Sequence, residues 1–330
     1  MIPGEFKKDL SRAKNISFTS KYIILYKGAS ISIYDHDFIC KVKIPKLNYV
    51  YRGYVSPDES KLLLVSSGNR FYVLSLDDFS FLSNFPLRRP YNGNLEGMAC
   101  WCSSDSFLVP IQNSDTMLSK LRRFHCGSPL TFEDLIPEKF WITNITYISE
   151  RNQHLLIGLD RSDHSWNLIW LDKNGIYQIY KILNFNEMIF HMDISYIQNQ
   201  VILTGETKIH CCNFDGSPAN AAELTPLICS GKIIFPLFFK KSKKDSNIAY
   251  FSTMDSFGVY NLNDKSLIKS YHIDYGVRDA KEVGNLLFLS TFSGIKVVSM
   301  DDIIQRYELL FRRTPNGVRR FYFILTAFGI

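Results

Sequence analysis

The chain repeats one short pattern along its length, an apolar segment that ends in Asp or Asn and is followed by a turn. Successive copies lie roughly 40–50 residues apart, a period typical of proteins built from one repeated supersecondary unit. This spacing therefore predicts an array of similar units rather than one irregular core. The copies end at Asp35, Asp77, Asp172, Asp215, Asn263 and Asp301, with a weaker copy at Cys126 in which Gly127 keeps the turn.

The segment from Tyr54 to Leu82 shows the unit most clearly. It opens with a Ser-Pro-Asp-Glu turn, in which proline presets φ and the aspartate can accept hydrogen bonds from its own backbone. An apolar strand over Lys61–Ser66 and an alternating strand over Arg70–Leu76 follow, and a third strand begins at Phe79. One such unit cannot bury its own apolar faces, so neighbouring copies must cover them.

Similar strands surround the other copies of the pattern, which makes four short strands per unit. Four-stranded units repeated about seven times close radially. We therefore predict an all-β fold, a seven-bladed β-propeller of four-stranded antiparallel blades. Six blades plus an irregular cap is the alternative, because the copy at Cys126 is degenerate and the end of the chain is ambiguous.

No linker, low-complexity segment or shift in composition divides the chain, so we expect one domain over residues 1–330. The apolar spacing over 301–313 predicts a short amphipathic helix. A turn at 314–317 and a closing strand over 318–328 follow in the same prediction.

The composition is that of a folded protein, because 46% of the 330 residues are hydrophobic and 21% are charged, with a formal net charge of +6. The first residues lack the apolar core and cleavage site of a secretory signal. The most apolar run, FYFILTAFGI, is roughly half the length that spans a bilayer. Seven scattered cysteines predict reduced thiols. We therefore expect a cytoplasmic protein without membrane insertion.

The strand ends resemble those of WD-repeat propellers. Leu76-Asp77, Leu171-Asp172 and Phe214-Asp215 stand where that family has Trp-Asp, and only the aspartate is shared. The Ser56-Pro57-Asp58 turn is similar to the strand-linking turn of bacterial WD-like and YVTN-type propellers. The resemblance covers nearly the whole chain in its period and implies the propeller fold. It implies no ligand, because this fold carries scaffolds and enzymes alike.

Few residues suggest catalysis. His191 and Asp193 lie two apart in a predicted inner strand, so they share one face and could act as a base or hold a metal. They support an alternative function, a lyase or hydrolase with a channel-mouth site for a small anionic substrate. A structural hydrogen bond is the simpler interpretation. GxSxG, phosphate-loop and HExxH motifs are absent from the sequence, so we favour a non-catalytic protein and predict no cofactor and no metal.

The densest basic run falls at the predicted hairpin tip between the first and second strands of one blade. It contains Lys240, Lys241, Lys243 and Lys244. A solvated tip that discourages edge pairing is one interpretation, and a patch for an anionic partner is the other. Because no aromatic residue interleaves with these lysines, we rank nucleic acid last among the partners.

The link around Arg88, Arg89 and Tyr91 is the best candidate for a partner-binding surface. It joins the outer strand of one predicted blade to the inner strand of the next, and Arg and Tyr often anchor interfaces. A plain surface loop is the competing interpretation. We predict a scaffold that binds another protein on this face. On the same face we place Arg70, Asp163, His164 and Trp166.

Overall fold

The computed structural model describes residues 4–66, 70–93, 98–127, 129–182, 187–189, 191–195, 200–205, 209–219, 236–242, 247–253, 256–263, 266–273 and 276–300. Within these residues the chain forms 26 β-strands, one short α-helix and one 3-10 turn. Neither helical segment is long and apolar enough to cross a membrane. The fold is all-β, as predicted.

The strands pair antiparallel with their neighbours along the chain. Helix α1 (Gly4–Leu10) precedes the first sheet, which contains β1 (Asn15–Phe18), β2 (Tyr22–Tyr26), β3 (Ile31–Asp35) and β4 (Cys40–Ile44). The second sheet contains β5 (Val50–Val55), β6 (Lys61–Ser66), β7 (Arg70–Ser75) and β8 (Phe81–Pro86). Each of these sheets is a four-stranded meander.

The third sheet has eight strands because one long strand is shared. Its strands are β9 (Tyr91–Gly93), β10 (Cys100–Ser103), β11 (Ser106–Asn113), β12 (Ser119–His125), β13 (Thr131–Ile148), β14 (Gln153–Asp160), β15 (Ser165–Leu171) and β16 (Tyr177–Lys181). The first part of β13 pairs with β12 and the second part pairs with β14. The sheet is thus two four-stranded meanders joined through β13, with β9 added beside β11.

Three further sheets follow in the described part of the chain. They contain β17 (His191–Ser195), β18 (Gln200–Thr204) and β19 (Ile209–Asn213); β20 (Pro236–Lys241), β21 (Ile248–Thr253), β22 (Ser256–Asn261) and β23 (Ser266–His272); and β24 (Val277–Val283), β25 (Leu286–Thr291) and β26 (Gly294–Ser299).

The second strand of a sheet sends alternate side chains into two different cores. In β6, Leu62 and Leu64 join a cluster shared with the first sheet, whereas Leu63 and Val65 join a cluster shared with β10–β12. All four side chains are buried. Because side chains alternate across a strand, each sheet needs a neighbour on both sides.

The first sheet also packs on the last one. Ile23 of β2 shares a cluster with Phe288 of β25 and with Phe6 of α1. Lys281 Nζ on β24 donates to the backbone oxygen of Ile16 on β1 at 2.6 Å. The two ends of the described chain therefore meet.

Aspartates close the turns between strands, as the sequence predicts. Asp35 Oδ1 accepts from the backbone N–H of Ile39 at 2.8 Å, and Asp172 Oδ1 accepts from that of Ile176 at 2.8 Å. Asp58 accepts from groups of its own turn before β6. The repeated Asp is thus a structural marker of the turn.

The strand predicted over Lys61–Ser66 has the predicted bounds, and the strand predicted over Arg70–Leu76 ends one residue earlier, at Ser75. Three short elements were not predicted: α1, β9 and the 3-10 turn Ser149–Arg151. Each is too short to show a hydrophobic period. The helix and closing strand predicted over 301–330 lie outside the described residues.

Replacing Phe6 with alanine should weaken the packing of the first sheet on the last. Phe6 is fully buried, and its ring centroid lies 4.8 Å from that of Tyr34 and 4.7 Å from that of Phe38. Loss of a buried phenylalanine ring costs about 3–5 kcal/mol, and we expect that loss in the free energy of unfolding measured with urea. Lys7→Ala, on the exposed side of α1, should change it by less than about 0.5 kcal/mol. Equal effects of the two substitutions would contradict this role of α1.

Candidate functional site

The two ends of the strands in each sheet carry different connections. At one end the second strand turns into the third, and the fourth strand leads on to the next sheet. At the other end the first strand turns into the second and the third strand turns into the fourth. Because neighbouring strands run antiparallel, connections of one kind lie at the same end of a sheet.

Contacts between sheets show that the strand ends with the second-to-third turns lie on one side of the molecule. Ser114, between β11 and β12, donates its backbone N–H to the carbonyl oxygen of Pro90, in the link after β8, at 2.9 Å. Arg161, between β14 and β15, donates from Nη1 to the carbonyl oxygen of Thr116 at 2.7 Å. We call this side the Arg88 face. Its described turns and links are 26–31, 44–51, 86–93, 113–119, 160–165 and 291–294.

Contacts also join the strand ends that carry the first-to-second and third-to-fourth turns, and these ends form the opposite face. The backbone N–H of Ser20 donates to Glu59 Oε2 at 2.8 Å, and Lys61 Nζ donates to Asp105 Oδ1 at 3.0 Å. Each contact joins turns of two different sheets. The two faces are therefore continuous surfaces across several sheets.

Arg88 and Arg89 lie on the Arg88 face, in the link that leads to Tyr91. Both arginines are exposed, and within the described residues neither guanidinium group makes a hydrogen bond or an ion pair. Tyr91 begins β9 and is half-buried, and Lys120 Nζ lies 4.2 Å from its ring centroid. The link thus presents two unpaired guanidinium groups and leads to an aromatic residue whose backbone pairs with β11.

Asp163 and His164 lie exposed in the β14–β15 turn of the same face. Asp163 Oδ1 accepts from the hydroxyl of Ser165 at 2.5 Å and from its backbone N–H at 3.0 Å, and Lys181 Nζ lies 3.0 Å from Asp163 Oδ2. The Ser165 hydroxyl and the Lys181 ammonium lower the pKa of Asp163 from 3.8 to about 2. Arg161 anchors this turn to the neighbouring one, so the turn and the Arg88 link belong to one surface.

Arg70 also reaches this face, whereas Trp166 does not. Arg70 begins β7 opposite Pro86, is exposed, and donates from Nη1 to Asn84 Oδ1 at 3.2 Å. Trp166 is only 2% exposed, and its Nε1 donates to the carbonyl oxygen of Glu187 at 2.6 Å. Its place in the β15 alternation turns the ring into the core between two sheets. Trp166 supports the face from below and cannot serve as an exposed contact.

Two residues of the lysine run can be placed. Lys240 and Lys241 end β20 on the opposite face, at the turn between the first and second strands that the sequence predicts. Lys243 and Lys244 lie outside the described residues.

A central cavity of about 610 Å³ lies between the inner strands of the sheets, chiefly β1, β5, β10, β13 and β24. Polar groups in its wall bond to one another. Trp101 Nε1 donates to the carbonyl oxygen of Tyr54 at 2.8 Å, and Glu282 Oε1 accepts from the hydroxyl of Tyr250. These groups stabilise the walls of the cavity.

His191 and Asp193 share one face of β17, where they pair with Thr204 and Ile202. They are not among the described residues that line the central cavity. In the part of the chain that the structure describes, no three His, Cys, Asp or Glu side chains form a group that could hold a metal. The catalytic role of this pair stays a prediction.

Charge separates the two faces. Among the described residues, exposed cations on the Arg88 face include Lys43, Lys46, Arg70, Arg88, Arg89, Lys139, Arg161, Lys181 and Arg278, and exposed carboxylates include Asp115, Asp163 and Glu5, which pairs with Lys43. The described turns of the opposite face expose Asp37, Asp58, Asp77, Asp78, Asp105, Glu150 and Asp215, with the cations Lys21, Lys41, Arg151 and Lys173. The sequence analysis did not identify most of the cations of the Arg88 face, because they are scattered along the chain. Their positions within the repeated unit are the signal that could have identified them.

Acid should remove the stabilising effect of Asp163. Its folded pKa of about 2 lies below the usual 3.8, so its ionised form stabilises the fold above pH 3.8, and this contribution is lost as the pH falls toward 2. We expect wild type to have a higher Tm than Asp163→Asn at neutral pH, and the difference should shrink below pH 3.8. Lys181→Met, which keeps the Ser165 bonds, should show a smaller difference. A difference in Tm that is constant across this range would contradict the assignment.

No protein-family profile matches the chain, and no curated protein sequence matches it. Solved structures match its fold. The β-propeller domain of Cps50 (Swd1) from Myceliophteria thermophila aligns with a TM-score of 0.61 at 13% identity, over 87% of this chain and 97% of that one. The Dos1 propeller aligns with a TM-score of 0.62 at 12% identity, over 87% of this chain and 78% of that one. Together with the repeated four-stranded meanders, these similarities show that the chain folds as a β-propeller.

Proposed function

We propose that this propeller is a non-catalytic interaction module that binds a protein partner on the Arg88 face. The observation that carries the proposal is the continuous surface of exposed cations there, with Arg88 and Arg89 unpaired within the described chain. Propellers of the WD-repeat type typically serve as protein-interaction scaffolds, which agrees with this proposal. The site itself, rather than the fold, supports the choice of face.

The charge of the face defines the chemistry of the partner. Arginine binds carboxylates through two parallel hydrogen bonds, and unpaired guanidinium groups lose little when they exchange water for such a ligand. Exposed aromatic rings lie in the turns and links of the same face. Tyr49 is 54% exposed and Phe292 is 52% exposed. Lys14 and Arg278 flank the Phe292 ring, with Nζ and Cζ at 5.3 and 5.5 Å from its centroid. We infer a partner segment that is acidic and carries apolar side chains.

Reversing two charges on this face should abolish partner binding without unfolding the protein. Arg88→Glu combined with Arg89→Glu alters only exposed side chains, so the Tm should change little. Binding of a short labelled Glu/Leu-rich peptide, measured by fluorescence anisotropy, should weaken by at least roughly tenfold because the attraction becomes repulsion. The affinity of wild type should fall as salt is added.

The matched control is Lys21→Glu combined with Lys173→Glu, which makes the same change of charge on the opposite face. It should bind the peptide as wild type does, and equal weakening by both double variants would contradict the choice of face. Single-stranded DNA of unrelated sequences is the second probe. Tighter binding of DNA than of the peptide would replace the protein partner with nucleic acid.

We also propose that the whole chain is one domain with seven blades. The units are β1–β4, β5–β8, β10–β13, β13–β16, β17–β19, β20–β23 and β24–β26, with β13 shared. Among the described residues a separate buried cluster lies at each boundary between successive units, and one more joins the last unit to the first. A crystal structure of the full chain should show seven radial sheets, and six sheets with a separate cap would contradict the proposal.

A further inference from the structure

A second polar site lies on the opposite face, around Arg151. This residue ends the 3-10 turn Ser149–Arg151 between β13 and β14. Its Cζ atom lies 4.8 Å from the ring centroid of Trp170 and 4.5 Å from that of Phe214. A guanidinium group that stacks on aromatic rings keeps its hydrogen-bond donors on the edge of its plane.

The two rings are a rigid support. They are 3% and 7% exposed, and their centroids lie 5.1 Å apart at 77°. Trp170 Nε1 donates to the carbonyl oxygen of Phe214 at 2.9 Å, which ties the end of β15 to the turn after β19. The platform therefore spans two sheets and holds the guanidinium group in one place.

The carboxylates nearby are already bonded within their own turns. Glu150 Oε2 accepts from the hydroxyl of Ser149 at 2.9 Å. Asp215 Oδ1 accepts from the backbone N–H and the hydroxyl of Ser217, at 2.9 and 2.6 Å, and these bonds lower the pKa of Asp215. Within the described residues Arg151 makes no hydrogen bond or ion pair. A charged group held in place without a partner is poised for an external anion.

The surrounding cavity is large enough for a ligand group. It has a volume of about 350 Å³, and the side-chain amides of Gln153, Gln178 and Asn213 line it beside Arg151. Gln178 Oε1 accepts from the hydroxyl of Tyr180 at 3.0 Å, which orients the amide. The lining thus combines one cation with neutral amide groups.

We propose that this cavity binds a single carboxylate of a peptide segment. A carboxylate is planar and matches the two parallel donors of a guanidinium edge, and the amides can bond the adjacent peptide group. Asp215 in the wall and Glu150 beside the cavity repel a doubly charged phosphate more than a singly charged carboxylate. The site is distinct from the Arg88 face and does not depend on it.

Saturation-transfer NMR on the full chain tests the proposal, with acetyl-Ala-Glu-Ala-amide and acetyl-Ala-Gln-Ala-amide as probes. The Glu peptide should bind at least about tenfold more tightly than its Gln isostere, because only the carboxylate forms the charge-assisted pair. Ala-Ala-Ala with a free and with an amidated C-terminus distinguishes the source of the carboxylate. Preference for the Glu side chain indicates an acidic residue within a segment, and preference for the free end indicates a C-terminus.

Three variants complete the test. They are made in the Arg88→Glu/Arg89→Glu background, which removes carboxylate binding on the Arg88 face. Arg151→Gln should abolish the remaining preference for carboxylate, and Arg151→Lys, which keeps the charge and the packing, should weaken it because lysine lacks the planar pair of donors. Lys21→Gln, on the opposite face but outside this cavity, should leave it unchanged. Equal binding of Glu and Gln peptides by the background protein, or an unchanged preference in both Arg151 variants, would overturn the proposal. Loss of the preference in Lys21→Gln alone would place the carboxylate site elsewhere on the opposite face and would also overturn it.

Discussion

Everything in this structure depends on one packing constraint: a four-stranded meander with two apolar faces cannot be stable alone. The central strands show it, because Leu155 and Ile157 of β14 face one neighbouring unit while Leu156 faces the other. Each unit therefore needs a neighbour on either side, and the chain satisfies this need by repeating the unit. The end units face the same requirement, and the cluster around Phe6 meets it by packing the first sheet on the last.

This packing also explains where function can lie. The flat sides of the sheets are buried against one another, so the two ends of the strands, the outer edge strands and the central cavity remain for ligands. The cavity wall is occupied by contacts such as the one between Trp101 Nε1 and the carbonyl oxygen of Tyr54. The turns at the strand ends are less constrained in sequence, because a turn needs only its Asp or Gly. Charge could therefore vary there. Among the exposed side chains that the structure describes, the Arg88 face carries mostly cations and the opposite face mostly carboxylates.

Much of the fold was predictable from the sequence, and much of the site was not. The strand Lys61–Ser66 is almost uniformly apolar and is bounded by turn residues, so its bounds follow from the local sequence alone. The Arg88 link could be assigned to one face of the propeller because it connects the outer strand of one unit to the inner strand of the next. Trp166 was misplaced, since a residue next to a turn can face either the solvent or the core. One step in the strand register decides between them.

The sequence by itself determined the repeated unit, its turns and its propeller fold, because hydrophobic period and turn chemistry are local and recur in each copy. Only the tertiary structure decided which scattered residues meet. Arg161 reaches Thr116 across 45 positions, and Arg151 stands on Phe214 from 63 positions away. Such contacts depend on how neighbouring sheets are rotated and staggered, which no local pattern records. The physical reason is that the energy of the fold lies in local strands and shared cores, whereas a binding surface is made by side chains that the fold brings together without requiring them.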